Sequence, residues 1–264
     1  MGTILDSIIE RKKTEVEVLK KATEVFPDFP YKTRSLIKAL RGAEDIAIIS
    51  EFKRASPSKG DINIDLDPGQ QAILYAESGA TAISVLTDQK GFKGSFDDLR
   101  KVREVVDLPI LCKDFIVDEI QIDRARSAGA DVILLIASVL SVGKLAELHT
   151  YASSIGLECL VEIHDQTDLE KALEINAALI GINNRNLKTF EVNMENTEKL
   201  GPHVKKAGAL LISESGMKTR EDIARASAAG ASGVLIGETF MTSSDIKNTF
   251  TQFTVPIVRD LHEG

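Results

Sequence analysis

One pattern recurs along the chain: a helical stretch stops at a glycine or a similar residue, an alanine follows, and a short apolar run comes next. The instances are SGATAISVL (78–86), AGADVILLI (128–136), IGLECLVEI (155–163), INAALIGIN (175–183), AGALLISES (207–215) and AGASGVLIG (229–237). A glycine just past a helix end supplies a left-handed cap, and runs that are apolar almost throughout are typical of parallel strands covered on both faces. With AIISEF (47–52) and PILCKD (109–114), the sequence predicts eight such strands.

Amphipathic segments separate these strands and predict helices between them. We expect the helices at about 67–79, 95–106, 118–129, 141–155, 166–176, 193–200, 218–229 and 244–261. Alternating strands and helices in these numbers predict an α/β fold, a single (β/α)8 TIM barrel, whose usual size is about 250 residues. A doubly wound sheet is the main competitor, but it usually has fewer strands, and no GxGxxG follows the first strand here.

Residues 1–45 precede the first strand and predict a helical extension that packs on one end of the barrel. No linker rich in glycine, serine or proline separates this extension from the rest. We therefore interpret 1–264 as one domain.

Composition limits the partners and the surroundings. A net charge of -8, with no basic stripe, argues against nucleic-acid binding. The start MGTILDSIIERKK is amphipathic, unlike a signal peptide, and no apolar stretch is long enough to span a bilayer, so we expect no membrane partner. Cys112 and Cys159 lie in apolar runs and indicate buried thiols in a reducing cytoplasm. Without an HExxH motif or a Cys/His cluster, we expect no bound metal.

Charged residues stand at the carboxyl ends of several predicted strands, where barrels of this kind build their active sites. They are Glu51, Lys53, Lys113, Glu162, Arg185 and Glu214. Because side chains alternate along a strand, Lys113 should share the inward face with Leu111 while Cys112 faces the helices. Each charge alone fits a structural ion pair. Burying unpaired charge is costly, however, and barrels need no such cluster for packing, so convergence at one end favours a functional site.

The last two strand ends predict a phosphate site. SESGM (213–217) places Ser215 and Gly216 before a helix, and VLIGETF (234–240) places Gly237 before a turn. Backbone N–H groups at such turns bind phosphate, and the loops after strands seven and eight are its usual place in a barrel. The expected ligand is a phosphorylated sugar or a sugar-like molecule.

The segment IISEFKRASPSKG (48–60) closely resembles the signature of the indole-3-glycerol-phosphate synthase family, whose barrel closes the pyrrole ring of indole in tryptophan biosynthesis. Later blocks resemble that family in order: LCKDFIVDEIQI (111–122), LVEIHD (160–165), IGINNRNLKTFEVN (180–193), ISESGM (212–217) and LIGETFM (235–241). The resemblance covers about residues 30 to 245. Cys112 and Asn193 depart from the usual residues, a basic one and an aspartate, at positions outside the expected chemistry.

The resemblance implies a lyase that converts 1-(2-carboxyphenylamino)-1-deoxyribulose 5-phosphate to indole-3-glycerol phosphate, carbon dioxide and water without a cofactor. By the same resemblance Lys113 is the general acid at the ketone oxygen. Glu162 complements the developing positive charge and then assists proton removal and dehydration. Glu51 holds Lys113 or a substrate hydroxyl.

The resemblance also implies the groups that bind the substrate. Lys53 pairs with its carboxylate or phosphate, while Asn183 and Arg185 orient the anthranilate end. The remaining contacts expected are Ser56, Phe115 and Glu214 for the substrate, and Ser215, Gly216, Gly237 and the backbone of Glu238 for phosphate. The SPSKG loop is expected to act as a mobile lid, and His164 is expected to face solvent.

Other readings stay open from the residues alone. A different phosphosugar barrel, either an isomerase or an aldolase that forms an imine on a lysine, would use similar strand-end groups. A non-catalytic phosphosugar-binding protein would need only the phosphate turns. The sequence is compatible with a monomer and with a homodimer.

Overall fold

The computed structural model describes residues 3–22, 26–27, 32–186 and 189–258. The strands are β1 Ala47–Phe52, β2 Ala55–Ser56, β3 Gly60–Asp61, β4 Ala82–Leu86, β5 Ile110–Lys113, β6 Val132–Ile136, β7 Glu158–Ile163, β8 Leu179–Asn183, β9 Leu210–Glu214 and β10 Gly233–Ile236. All but β2 and β3 form a closed barrel of parallel strands in the order β1-β10-β9-β8-β7-β6-β5-β4. The eight predicted strands are these barrel strands, so the predicted barrel is confirmed.

Two helices precede the first barrel strand, and at least one helix follows each barrel strand in the described chain. Their bounds are α1 Ile4–Lys21, α2 Leu36–Gly42, α3 Pro68–Ser78, α4 Gln89–Phe92, α5 Phe96–Val105, α6 Glu119–Ser127, α7 Val142–Ser154, α8 Gln166–Glu174, α9 Glu195–Lys206, α10 Arg220–Ala228, α11 Glu238–Met241 and α12 Ile246–Phe253. Capping residues fix many starts: Asp67 accepts a hydrogen bond from Gln70, and Thr219 forms a reciprocal capping box with Asp222.

Two predicted helices had wrong ends. The helix predicted at 193–200 continues to Lys206, because Pro202 lies inside it and does not end it. The helix predicted at 244–261 ends at Phe253, after which the chain is extended and Pro256 forms a bridge to Asp45. Residues 259–261 of that prediction lie outside the described part of the chain.

Two apolar layers hold the barrel. Leu111, Leu160 and Leu179 belong to a cluster inside it, whereas Cys112 and Cys159 pack between strands and helices, as strand alternation predicts. Leu36 and Leu40 of α2 join the inner cluster beside Ala47 at the start of β1, so α2 closes the amino-terminal end. The opposite end, where the strands finish, is left for a site.

The helix α1 docks near that other end through buried charges. The ammonium group of Lys12 lies 2.9 Å from Asp88 and 2.7 Å from Asp114, and all three side chains are buried. Asp114 directly follows Lys113, so this contact joins the extension to a strand that carries a predicted site residue.

Candidate active site

A cavity of about 490 Å³ opens at the carboxyl ends of the barrel strands. Every residue predicted for the site lies on its wall: Glu51, Lys53, Ser56, Lys113, Phe115, Glu162, Asn183, Arg185, Glu214, Ser215, Gly216, Gly237 and Glu238. The fold thus gathers in one place side chains that are separated by more than a hundred residues of sequence.

Lys113 is the central cation of this cavity. Its Nζ lies 2.9 Å from Oε2 of Glu162 and also donates a short hydrogen bond to Oε2 of Glu214. Burial would lower the pKa of Lys113, but the negative charges of Glu162, Glu214 and Glu51 outweigh burial and raise it well above its ordinary value. Lys113 is therefore held as an ammonium ion, the form that has a proton to give.

The two carboxylates that contact Lys113 have pKa values shifted in opposite directions. Burial would raise the pKa of Glu162, yet the charges of Lys113 and His164 hold it well below its usual range. Burial also acts on Glu214, and with the repulsion from Glu162 it raises the pKa of Glu214 to about 7 despite Lys113. One ammonium group cannot fully compensate two buried carboxylates, so Glu162 is ionised while Glu214 titrates near neutrality.

Asn183 fixes the orientation of Glu162. Its Nδ2 donates to Oε1 of Glu162 at 3.2 Å, and its Oδ1 accepts from Ser215 Oγ at 2.9 Å and from the backbone N–H of Arg185 at 3.0 Å. These bonds assign the amide rotamer and connect the ends of β7, β8 and β9. Glu162 is consequently held by a network that is already in place.

Glu51 and Lys53 form an ion pair with 2.5 Å between Oε1 and Nζ. Gly237 lies directly opposite, where a Cβ atom would come within 2.6 Å of Oε1 of Glu51. The pair and the predicted phosphate turn are therefore in contact.

The turn after β9 has an unusual backbone. Ser215 and Gly216 have φ angles of 67° and 92°, and the first of these is uncommon for a residue with a side chain. A Cβ on Gly216 would come within 2.7 Å of Val192, so this position requires glycine on two grounds.

Apolar side chains cover part of the cavity wall, and the sequence did not assign them. Ile4, Leu5 and Ile8 come from α1, and Phe92 from α4 lies beside Phe115 with 5.9 Å between ring centroids. The amphipathic pattern of α1 indicated an apolar face, but it did not indicate which end of the barrel that face would cover.

The predicted lid is a two-stranded hairpin made by β2 and β3. Lys59 in its turn lies 3.0 Å from the carboxylate of Glu238, the residue after Gly237. The hairpin is thereby connected across the cavity mouth to the predicted phosphate turn.

His164 does not face solvent, and that prediction was wrong. Its side chain is only 14% exposed, with Nε2 at 3.2 Å from Oε1 of Glu162. The pattern of the strand could not reveal this burial, because Asp168 on α8 provides the other side of the histidine's surroundings.

The cysteines, possible metal ligands and possible membrane spans can also be compared with the structure. Burial raises the pKa of the Cys112 and Cys159 thiols to about 12, so neither is a reactive thiolate. Within the described residues no group of three His, Cys, Asp or Glu side chains could hold a metal ion. In the same part of the chain, each helix is too short or too polar to cross a membrane.

Comparison with known proteins gives one consistent result. The family model described as Indole-3-glycerol phosphate synthase matches residues 5–253. Proteins named indole-3-glycerol phosphate synthase from Bacillus mycoides (strain KBAB4) and Bacillus thuringiensis subsp. konkukian (strain 97-27) are each 54% identical over 257 residues. Each alignment covers 97% of this chain and 100% of the relative.

Proposed function

The chain belongs to the indole-3-glycerol phosphate synthase family, and we propose that Lys113, Glu162 and the groups around them carry out its reaction. The protein is a carboxy-lyase of tryptophan biosynthesis that binds a phosphorylated small molecule. It converts 1-(2-carboxyphenylamino)-1-deoxyribulose 5-phosphate to indole-3-glycerol phosphate, carbon dioxide and water.

Lys113 is the general acid in this proposal. A carbon–carbon bond forms as the aromatic carbon attacks the substrate ketone, and the ketone oxygen takes a proton from the Lys113 ammonium group. The observation that supports this role best is the position of its Nζ between Glu162 and Glu214, which keeps the amine protonated until substrate arrives. Positioned proton transfer of this kind typically contributes about 10²–10⁴-fold to the rate.

Glu162 acts after the ring has closed. Its ionised carboxylate faces the positive charge that develops on the ring nitrogen, and it stabilises that charge while carbon dioxide leaves. It then accepts the proton that must be removed as the hydroxyl departs as water. The low pKa of Glu162 supports the first part of this role, because the carboxylate is charged before the reaction begins.

The remaining groups bind the two ends of the substrate. We assign the phosphate to the backbone N–H groups of two turns on the cavity wall: Ser215–Gly216, which follows β9, and Gly237–Glu238, where α11 begins. We assign the substrate carboxylate to Lys53 and Arg185, and the aromatic ring to the apolar wall beside Phe115. Glu51, paired with Lys53, is then positioned to assist the dehydration.

The electrostatics of Lys113 argue against an imine mechanism of the aldolase type. An amine nucleophile needs a lowered pKa, so that the neutral form is available at neutral pH. The carboxylates around Lys113 have the opposite effect and stabilise its ammonium form.

The net charge and the cysteines support a proposal for the cellular location and the partners of the enzyme. A net charge of -8 and buried reduced cysteines support a cytoplasmic enzyme without a nucleic-acid partner. Because described residues of a single chain line the cavity, we propose a site that is complete in a monomer and equally in a homodimer.

The test measures substrate turnover by Lys113→Ala, with indole fluorescence and carbon dioxide release as the two readouts. We expect kcat to fall by about 10²–10⁴-fold. A substrate analogue whose ketone is reduced to an alcohol should still bind. Lys144→Ala, which removes a partly exposed lysine paired with Glu147 on α7, is the control and should behave as wild type. Wild-type turnover in Lys113→Ala would reject the acid role.

A further inference from the structure

The imidazole ring of His164 lies between two carboxylates. Its Nε2 is 3.2 Å from Oε1 of Glu162, and its Nδ1 is 3.6 Å from Oδ2 of Asp168. Neither ring nitrogen is aligned with its carboxylate for a hydrogen bond, so the two contacts are close approaches of the ring to both carboxylates. The described residues that form the cavity wall do not include His164, and the ring therefore acts on Glu162 from behind.

Asp168 holds the ring in that place. It lies in the first turn of α8, its side chain is buried, and its Oδ2 accepts a hydrogen bond from the backbone N–H of His164 at 3.1 Å. From α9, the neutral amide of Asn196 donates to the carbonyl of His164 at 3.0 Å. The end of β7 is thus fixed on both sides.

The charges around His164 favour its doubly protonated form. Burial would lower the pKa of His164, but Asp168 and Glu162 raise it to about 10. A carboxylate separates His164 from each of the two nearby cations. Lys171 lies 3.7 Å from Asp168, and Lys113 lies on the other side of Glu162. The two carboxylates therefore favour an imidazolium at His164 in the neutral range.

This charge matters at one point in the reaction. When Lys113 gives its proton to the ketone oxygen, Lys113 becomes neutral and Glu162 loses the cation in front of it. A buried carboxylate without a cation tends to take up a proton, and a protonated Glu162 could neither stabilise positive charge nor accept a proton. A second cation behind Glu162 prevents this.

We propose that His164 is a positioning residue whose imidazolium keeps Glu162 ionised and oriented during the step in which Lys113 loses its proton. His164 itself neither gains nor loses a proton in that step. The inference rests on the roles proposed above for Lys113 and Glu162.

The test compares His164→Gln, which removes the charge, with His164→Lys, which retains one. We expect His164→Gln to lower kcat by about tenfold while KM stays within about twofold, because the ring does not contact substrate; each unit of pKa corresponds to about a factor of ten. The acid limb of the kcat profile should move to higher pH, since Glu162 becomes easier to protonate. His164→Lys should recover most of the wild-type kcat and return most of the acid limb to its wild-type position.

The control is His149→Gln on α7, the same substitution at a half-buried histidine whose pKa is lowered by burial. It should leave kcat and the pH profile unchanged. A melting curve for each variant separates loss of fold from loss of function. If His164→Gln keeps both the wild-type kcat and the wild-type acid limb, or if His164→Gln and His164→Lys lose activity and stability together, the proposal is wrong.

A second measurement does not depend on turnover. In the wild-type protein labelled with ¹⁵N-histidine, NMR should show His164 doubly protonated at pH 7.5 and His149 neutral. A neutral His164 at that pH would overturn the proposal. Absence of synthase turnover in the wild type would instead count against the proposed function, and the NMR result would still decide the charge of His164.

Discussion

The side chain of Glu214 on β9 fills the space that a side chain at Gly181 on the neighbouring strand β8 would need. A Cβ atom on Gly181 would overlap Oε1 of Glu214, the buried oxygen for which the described residues provide no hydrogen-bond partner. The other oxygen of Glu214 accepts the short hydrogen bond from Lys113. The missing side chain at 181 is therefore what allows Glu214 to reach the central lysine.

Gly181→Ala should consequently disturb the site more than the fold. We expect the methyl group to push Glu214 away from Lys113 and to lower kcat by about tenfold or more, with a stability cost of about 1–3 kcal/mol, typical of overpacking. Gly143→Ala is the matched control, because nothing lies within 4 Å of its Cβ position. Steady-state kinetics and thermal melts check both, and equal kinetics for the two variants would contradict the steric argument.

The raised pKa of Glu214 predicts a pH-dependent stability. A carboxyl whose pKa is about 7 in the folded protein, against 4.5 as its ordinary value, holds its proton in the native state after the unfolded chain has lost it. Stability relative to Glu214→Gln must then fall as pH rises from about 4.5 to 7. Glu214→Gln should exceed wild type in stability by on the order of 3 kcal/mol at pH 8, since each pKa unit corresponds to about 1.4 kcal/mol.

Glu162→Gln provides the opposite case for the same experiment. The pKa of Glu162 is lowered in the folded protein, so its charge contributes stability that is present above its ordinary pKa and is lost as pH falls. We expect Glu162→Gln to be less stable than wild type at pH 8. Denaturant unfolding of the three proteins at pH 4.5 and 8 measures both differences, and a shared sign would refute the assignment of unequal pKa values.

Lys59 should affect substrate binding more than stability. Its ion pair with Glu238 is exposed, with side-chain exposures of 54% and 37%, and pairs of this kind contribute only about 0–1 kcal/mol. Lys59 nevertheless lies on the cavity wall with the turn at Gly237, where we assign the phosphate. Lys59→Ala should raise KM several-fold while the melting temperature stays near that of wild type.

Salt provides the control for Lys59. A contribution from an exposed cation to phosphate binding weakens as ionic strength rises, so the KM values of wild type and Lys59→Ala should approach each other in high salt. Lys144→Ala removes another lysine from an exposed ion pair, far along the chain on α7, and should leave KM unchanged. If Lys59→Ala and wild type had the same KM at low salt, Lys59 would not contribute to phosphate binding.

Much of the barrel could be predicted because its signals are local. Apolar runs that follow a helix stop gave six of the eight strands, and two further apolar runs gave the others; alternation along β5 correctly placed Cys112 outside the barrel. The helices α4 and α11 and the β2–β3 hairpin were not predicted. These elements are short, and tertiary contacts such as Lys59 with Glu238 define them, so a local pattern carries little information about them.

Many residues of the cavity wall could be predicted, but the contacts among them could not. Strand ends identify Glu162 and Glu214 as neighbours of Lys113, yet no pattern shows that one carboxylate is ionised and the other titrates near pH 7. That difference depends in part on His164, which was expected in solvent and lowers the pKa of Glu162. Electrostatics of this kind are set by distances of a few ångströms between separate strands.

The helix α1 offers the last prediction, because its docking depends on one buried lysine. Lys12 is 4% exposed and lies between Asp88 and Asp114. Burial would lower the pKa of Lys12, but both aspartates raise it well above its ordinary value. Removing one partner of a buried ion pair typically costs about 3–5 kcal/mol, since the remaining charges stay buried without compensation.

Lys12→Met keeps the apolar length of the side chain and removes its charge, so it should weaken the contact between α1 and the barrel. Because Ile4, Leu5 and Ile8 of α1 line the cavity, we expect KM to rise and α1 to become sensitive to limited proteolysis. Lys13→Met is the control on the same helix: its side chain is exposed and paired with Glu10 at 2.6 Å, so its loss should change neither property. If the two variants melt, bind substrate and resist protease alike, the buried lysine does not hold α1 over the cavity, and the apolar face of the helix must hold it alone.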